Sequence, residues 1–218
     1  MPDRQAQIRI LARSARSRKA WLAYGGTIVP CALGTGGCRV RKREGDGATP
    51  IGRWHARQVF YRPDRGPRPR SRLPVRPLRR SDGWCDAVGD RNYNRWVRHP
   101  YHTSAEKLWR SDNLYDLIVT LDHNQRPRIQ GHGSAVFVHM AGAGWQPTAG
   151  CIGVRRDHLL RLIAWLDRER ALSVCAPVAK KRPEEPLRAL GARTGRRRAR
   201  GKRRGPMERG PRHPKRRD

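Results

Sequence analysis

The apolar residues of this chain are grouped in short runs that end at glycine-rich or proline-rich segments. Such runs occupy residues 8–11, 20–33, 117–121, 134–140 and 172–178. The second run is interrupted by Gly25-Gly26, and another glycine-rich segment follows it at residues 34–37. Short apolar or β-branched runs bounded by turn residues are typical of β-strands. The sequence therefore predicts a mainly β fold.

One stretch near the C-terminal end of these runs has a different periodicity. Its apolar residues recur at helical spacing, at Leu159, Leu160, Ile163 and Leu166. Asp157 precedes them and is a suitable N-cap, because a carboxylate accepts hydrogen bonds from the first amides of a helix. We therefore expect one amphipathic helix in addition to the strands, which gives an α+β composition dominated by β structure.

The chain ends in a segment that cannot form a core. Residues 180–218 show no apolar periodicity and consist mainly of Arg, Gly and Pro, a composition typical of disorder. We therefore expect one folded domain over residues 8–178 and a disordered basic tail over residues 179–218. A domain of that length can bury its own hydrophobic core.

The formal net charge of +31 favours anionic partners such as nucleic acid, acidic glycans or membrane headgroups. The basic tail has 17 Lys and Arg against four acids, so it contributes +13 and the preceding residues contribute +18. An Arg-rich composition also arises from codon bias without any binding requirement. Charge alone therefore does not select a partner.

The cysteine spacing and the N-terminal composition point to no metal, disulfide or targeting class. The five cysteines are scattered without a CxxC pair, so neither a zinc ribbon nor a dense disulfide scaffold is suggested. Cys85, between a Trp and an Asp, is best explained as a packed structural residue. Residues 1–19 are basic and polar, and they lack the apolar run of a signal peptide or membrane helix.

Residues 131–154 bring together the residue types that nucleophilic cysteine catalysis requires. A strand ends in His139, a glycine-rich loop follows, and Gly150-Cys151 begins the next element. A cysteine thiol needs a base or a positive environment to ionise, and Arg155 and Arg156 would supply positive charge. Gly150 would let a substrate carbonyl approach the backbone amides. Spacing alone favours a buried structural cysteine and a satisfied histidine at the end of the strand.

The two-residue period of the strand places the histidine on a defined face. Ala135, Phe137 and His139 share one face, and Val136, Val138 and Met140 share the other. His139 is therefore either buried or at the rim of the sheet. The segment also contains Trp145, for which gating of a substrate and simple surface packing are both open.

This segment resembles the active-site motif of the YkuD-like L,D-transpeptidases, in which a Gly-Ser strand ends in His and Ser or Thr precedes Gly-Cys. Gly133-Ser134, His139, Thr148 and Gly150-Cys151 match that motif. Residues 44–52 resemble the Asp-Gly-x-Thr-Pro-x-Gly element of the family, and Tyr115-Asp116 with Asn124 fits the preceding strand. The resemblance covers residues 8–177 and implies a β-sandwich-like catalytic domain with a helix at its side.

The resemblance implies a role for each matching residue. Cys151 would be the nucleophile, His139 the general acid and base, and the backbone carbonyl of Met140 the group that orients the imidazole. The implied substrates are peptidoglycan stem peptides, joined through a thioester without a metal or organic cofactor. Water as the acceptor would give an L,D-carboxypeptidase instead.

Substrate contacts are less well defined by the motif. Ala149 and Gly153 stand where many members have His and Arg or Asn, so we expect Arg155 or Arg156 to hold a stem-peptide carboxylate. Ser134, Thr148 and Trp145 are further candidates for substrate binding. His132 could line the cleft, but a solvated turn residue is the simpler explanation. A zinc site formed by His132, His139 and Cys151 is not favoured, because their spacing matches no ligand pattern.

Two questions remain open at the level of sequence. A basic nucleic-acid-binding protein is the alternative from another class, although the basic residues follow no periodic face. The basic tail could also contact an anionic polymer. The family resemblance implies an envelope or periplasmic location, whereas the N-terminus shows no export signal and leaves a cytoplasmic location possible.

Overall fold

The computed structural model describes residues 7–175, which form a mainly β domain with one α-helix. The strands are β1 Ile8–Ala12, β2 Lys19–Tyr24, β3 Thr27–Ala32, β4 Cys38–Arg39, β5 Thr49–Pro50, β6 Gly52–Tyr61, β7 Val75–Pro77, β8 Asp82–Cys85, β9 Trp96–Arg98, β10 Ala105–Lys107, β11 Leu117–Leu121, β12 Phe137–Met140, β13 Ile152–Val154 and β14 Ala171–Cys175; the helix is α1 Arg156–Trp165. This architecture confirms the predicted fold class. The basic tail, predicted to be disordered, lies outside the described residues.

The largest sheet closes on itself through β6. Its strands follow the order β11-β12-β13-β3-β2-β1-β14-β6-β7, and β6 pairs with β11 as well. The first part of β6 pairs with β14, with Gly52 opposite Val174. The second part pairs with β11, with Tyr61 opposite Leu117. A single long strand therefore joins both ends of the series and encloses the interior.

Two apolar clusters lie on opposite faces of β11 and β12. The main core lies inside the closed sheet, is largely aliphatic, and includes Ile8, Ile10, Leu22, Val119, Val138 and Leu162. The aromatic cluster lies against a small sheet of order β10-β8-β9 and contains Phe60, Leu78, Trp84, Leu108, Tyr115, Ile118, Phe137 and Cys151. The candidate nucleophile is therefore part of the smaller cluster.

Strand β12 has the two faces that the alternation predicted, but it is shorter than expected. Val138 packs in the main core, and Phe137 packs in the aromatic cluster. Pairing begins at Phe137 rather than Ser134, because Ala135 has a left-handed φ of 48° and its amide donates to Asn94 Oδ1. A residue in this conformation cannot continue a strand.

Helix α1 packs its apolar face, Leu159, Leu162 and Ile163, into the main core. The prediction that Asp157 caps the helix is wrong. Arg155 occupies the N-cap without a side-chain cap, and Asp157 lies in the first turn, where its charge still favours the helix dipole. Among residues 7–175, no helix has the length and hydropathy needed to cross a bilayer.

Candidate active site

Cys151 and His139 line one cavity of about 450 Å³ between the closed sheet and the small sheet. Parallel pairing of β12 with β13 creates this arrangement, because Val138 lies opposite Ile152 and His139 lies opposite Gly153. Cys151, one residue before β13, therefore lies beside the start of β12. The fold thus places a thiol and an imidazole on neighbouring strands facing the same space.

The Cys151 thiol is buried and held by backbone groups. Sγ accepts a hydrogen bond from the Phe137 amide at 3.3 Å and donates to the Ala135 carbonyl at 3.1 Å. Burial raises the pKa of the thiol to about 12, and the nearby Glu106 carboxylate acts in the same direction. The Phe137 amide and the Lys42 ammonium lower it. Without substrate, the cysteine is a neutral thiol at physiological pH.

The His139 imidazole is oriented by the backbone of the next residue. Its Nδ1 lies 2.8 Å from the Met140 carbonyl oxygen, so Nδ1 carries the proton and donates it there. The ring makes an edge contact with the Tyr115 ring, with 5.1 Å between their centroids. Burial lowers the pKa of His139 to about 4. The imidazole is therefore neutral near pH 7, with Nε2 as its acceptor nitrogen.

Gly150 and Thr148 fix the backbone that leads into Cys151. Gly150 has a φ of 136°, and a Cβ on it would lie 2.9 Å from the carbonyl oxygen of Ala48. The Thr148 hydroxyl donates to the Cys151 carbonyl at 2.7 Å and accepts from the Gly150 amide at 3.1 Å. A close backbone approach and a side-chain bridge therefore set the position of the thiol.

A buried lysine enters the cavity from residues 42–50. Lys42 Nζ lies 2.8 Å from Asp46 Oδ1, and the side chains are 4% and 9% exposed, respectively. The aliphatic part of Lys42 crosses Gly133, where a Cβ would lie 2.8 Å from its Cε, and Nζ lies 3.3 Å from a Cβ placed on Gly150. Two glycines therefore provide the space through which the ammonium reaches the neighbourhood of Cys151.

Carboxylates also line the cavity. Glu106, on β10, accepts a hydrogen bond from the Tyr115 hydroxyl, and Glu44 accepts one from Tyr93. Asp86 also lines the cavity. Burial raises the pKa of Glu106, and the Tyr115 hydroxyl lowers it. The cavity thus combines one nucleophile, one neutral base, one cation and several carboxylates within a strongly basic chain.

Comparison with protein families identifies the chain. The model of the YkuD family, described as the L,D-transpeptidase catalytic domain, matches residues 7–208. The chain belongs to this family. YkuD enzymes are cysteine-dependent enzymes of peptidoglycan and typically work in the cell envelope. The match extends over the segment that contains His139 and Cys151.

The other comparisons add little to the family assignment. No curated protein matches this YkuD chain. The structure of Bdellovibrio bacteriovorus Bd1075 is similar at 14% sequence identity and a TM-score of 0.37, and the alignment covers 78% of this chain and 48% of that chain. The YkuD chain therefore spans about half the length of that structure.

The candidate substrate residues of this YkuD domain lie in different places. Ser134 is buried and lines the cavity with Cys151. Thr148 lines a smaller adjoining cavity of about 180 Å³ with His139, while its hydroxyl serves the backbone. Trp145 has a φ of 61° and lines neither cavity. Only Ser134 of these three faces the space beside the thiol.

Arg155 and Arg156 are not among the residues that line either cavity around His139. Arg155 is largely exposed and lies 3.5 Å from Asp157. Arg156 contacts the Met140 sulfur at 3.9 Å and donates to the Arg65 carbonyl at 3.4 Å. The start of α1 directs both side chains elsewhere, so the expectation that they replace the family's Arg or Asn receives no support from their positions.

His132 lies in a second cavity of about 480 Å³, away from the thiol, with Val40, Trp54 and Ile129.

Sequence reasoning assigned no role to Lys42, Glu44, Glu106 or the Tyr115 side chain, all of which line the cavity of Cys151. Glu44 and Tyr115 lie in segments that resemble family elements, and that resemblance was the available signal for these two residues. Nothing in the sequence near Glu106 indicates its place.

Proposed function

We propose that this chain is a peptidoglycan L,D-transpeptidase that forms cross-links through a Cys151 thioester. The observation that carries this proposal is the shared cavity of Cys151 and His139, with Nδ1 of the imidazole bonded to the Met140 carbonyl. That bond leaves Nε2 to accept a proton. We also propose an envelope location, since the substrate is found there.

The first half-reaction forms the acyl-enzyme. His139 Nε2 takes the thiol proton, and Cys151 Sγ attacks the carbonyl of the L-centre of the third stem residue. The C–N bond to the terminal D-alanine breaks, and His139 returns the proton to the departing amine. The Gly150 amide is engaged with Thr148, so we assign stabilisation of the oxyanion to the Cys151 amide.

The second half-reaction transfers the acyl group. An amine on a second stem attacks the thioester, His139 accepts a proton from that amine, and the C–S bond breaks. The sulfur leaves as a thiolate, which His139 reprotonates. The products are a new amide cross-link and the starting thiol, so the cycle needs no external oxidant, reductant or cofactor.

The protonation states favour proton transfer only when substrate is bound. A thiol pKa of about 12 and an imidazole pKa of about 4 make the separated ion pair unfavourable in the empty site. Attack on the carbonyl moves the negative charge from sulfur to oxygen, where an amide can stabilise it. Deprotonation is therefore expected to accompany attack rather than precede it.

The test is incubation of the purified full chain with a disaccharide-tetrapeptide, followed by mass analysis of products and protein. We expect loss of D-alanine, a cross-linked dimer and a transient acyl adduct on the protein. The Cys151→Ala variant should show none of these. Cys38→Ala is the matched control, because Cys38 is a buried thiol in the main core, and it should retain activity.

Each outcome separates the alternatives. Loss of D-alanine without a dimer, even with added amine acceptor, would identify an L,D-carboxypeptidase with water as the acceptor. Equal activity in Cys151→Ala would exclude the thioester mechanism. An inactive wild-type chain that binds DNA with strong salt dependence would instead favour the nucleic-acid-binding alternative.

A further inference from the structure

Five apolar side chains lie in two adjacent cross-strand rows on the outer face of β1, β2 and β3. Strand register places Leu11 opposite Trp21 and Trp21 opposite Pro30. Ala23 and Ile28 are paired in the adjacent row. Residues opposite each other on antiparallel strands share a face and have Cβ atoms within about 5.5 Å. The strands therefore collect these residues, hereafter the apolar face, into one surface.

The apolar face is not explained by packing of the domain. The alternate residues of the same strands, such as Ile10 and Leu22, are fully buried in the main core. Trp21 is 51% exposed and Ile28 is 66% exposed, although both are large hydrophobic residues. Adjacent exposed apolar residues on one sheet face indicate a contact surface more strongly than scattered ones do.

The segment that carries the apolar face is rich in basic residues and has no acidic ones. Residues 7–43 contain nine Lys and Arg and no Asp or Glu. Arg9 and Lys19 lie on the same outer face, and Arg13, Arg16 and Arg18 lie in the loop between β1 and β2; all five are exposed. Within the described residues, none of the five forms an ion pair, so their charge is available to an anionic partner.

The chain continues from this region into its most basic segment. β14 runs beside β1, and Cys175, the last described residue, is the register partner of Leu11. The sequence after it includes the basic tail, with 17 Lys and Arg against four acids. The last described residue therefore lies next to the apolar face.

An anionic bilayer fits this combination better than an anionic polymer does. Indole is favoured at the interface between headgroups and acyl chains, and Leu and Ile gain free energy there by leaving water. Lys and Arg near a membrane surface attract anionic headgroups. A hydrated polymer would use the cations but would gain little from Trp21 and Ile28. The two partners therefore differ in which side chains they require.

We propose that the outer face of β1, β2 and β3 is a docking surface for anionic lipid bilayers. Trp21 and Ile28 enter the interface, and Arg9, Lys19 and the β1–β2 loop contact the headgroups. The proposal does not depend on catalysis, so a Cys151→Ala chain should dock as the wild type does.

The test is co-sedimentation of the full chain with vesicles of phosphatidylcholine alone or mixed equally with phosphatidylglycerol. We expect partition into the anionic vesicles and a blue shift of tryptophan fluorescence. The Trp21→Ser, Ile28→Ser double variant should bind at least ~10-fold more weakly, because it loses most of the apolar area. Val88→Ser, at another exposed apolar residue, is the matched control and should bind as the wild type does.

Several outcomes would overturn the proposal. One is that the wild-type chain stays in solution when anionic vesicles are sedimented. Another is that the double variant binds the anionic vesicles as tightly as the wild type does, which would show that charge alone attracts the chain. If the double substitution weakens binding to an acidic polysaccharide as much as it weakens binding to vesicles, the apolar face would be assigned to a polymer. Self-association of the wild type that the double variant abolishes would assign it to a second copy. Unchanged thermal unfolding of the double variant checks that it is folded.

Discussion

The main core and the aromatic cluster share strands β11 and β12 but differ in composition. The main core is enclosed by the closed sheet and by α1, and its members are mostly aliphatic. The aromatic cluster is smaller, contains Phe137 and Tyr115, and borders the cavity with Cys151 at its edge. Strand β12 places Val138 in the main core and His139 on the side of the cavity.

This difference shows where stability and chemistry are separated. Aliphatic residues in the main core need no hydrogen-bond partners, so they stabilise the fold by burial alone and take no part in the chemistry of the site. The cavity side holds a thiol and an imidazole whose charged forms are disfavoured by burial, and a lysine that is paired with Asp46. Neighbouring residues of one strand should therefore respond to substitution in opposite ways.

The largest expected effect is on catalysis. His139→Gln should reduce kcat/KM by about 10³-fold, because general acid–base catalysis by a positioned imidazole contributes about that much. Gln fills similar space but cannot accept and return the proton. The measurement is the steady-state rate with a disaccharide-tetrapeptide. A variant within a few-fold of the wild type would remove His139 from the proposed mechanism.

The next effect is on stability at low pH. The pKa of His139 is about 4 in the folded chain and 6.5 when the side chain is unperturbed, so the unfolded state binds an extra proton between these values. Wild-type stability should therefore fall by about 3 kcal/mol more than that of His139→Gln as the pH falls from 7 to 4. Denaturant titrations at several pH values measure this difference. Parallel curves for the two chains would contradict a neutral buried imidazole.

Substitution on the other face of β12 should reverse the pattern. Val138→Ala should lower the free energy of unfolding by about 2 kcal/mol, because it leaves a cavity in the main core. The variant should retain kcat below its unfolding transition, since Val138 does not line the site. Thermal unfolding and single-temperature kinetics measure both properties. A large fall in kcat with unchanged stability would show that the two clusters are not separate in function.

The smallest effect concerns Lys42. Lys42→Met should slow alkylation of Cys151 by iodoacetamide by about tenfold at a given pH, because loss of the ammonium raises the pKa of the thiol further. Asp46→Asn is the control and should speed the alkylation, since it keeps the Lys42 ammonium and removes the carboxylate charge that balances it. Equal slowing in both variants would instead indicate that the pair only holds residues 42–50 in place.

The sequence predicted those features that depend on local periodicity. Apolar runs predicted the mainly β class, and alternation in residues 134–140 separated the faces of Phe137 and Val138 correctly. The order of the family motifs also predicted that His139 and Cys151 lie in one site. The first two results follow because strand propensity and side-chain alternation are encoded within short segments. The third rests on the family motif.

Features that depend on distant segments were not predictable in the same way. Glu106 reaches the cavity from the small sheet, and Lys42 reaches it only because Gly133 and Gly150 lack side chains. Residues 62–80 alternate Pro and Arg, a composition typical of extended, solvated chain. Leu73 and Leu78 are nevertheless buried, and the Arg62 guanidinium stacks on Trp109 at 3.7 Å. Alternating Pro and Arg gives no local signal of such packing.

Closure of the main sheet by β6 also determines how few backbone groups of that sheet are open to another chain. A strand at an open edge offers unpaired amides and carbonyls to which a second molecule can add. In the ring formed through β6, each strand has a neighbour on both sides, and β7 outside it is three residues long and ends in Pro77, which has no amide to donate. Together with mutual repulsion between strongly cationic molecules, this arrangement opposes edge-to-edge aggregation at the high local concentrations that a surface would impose.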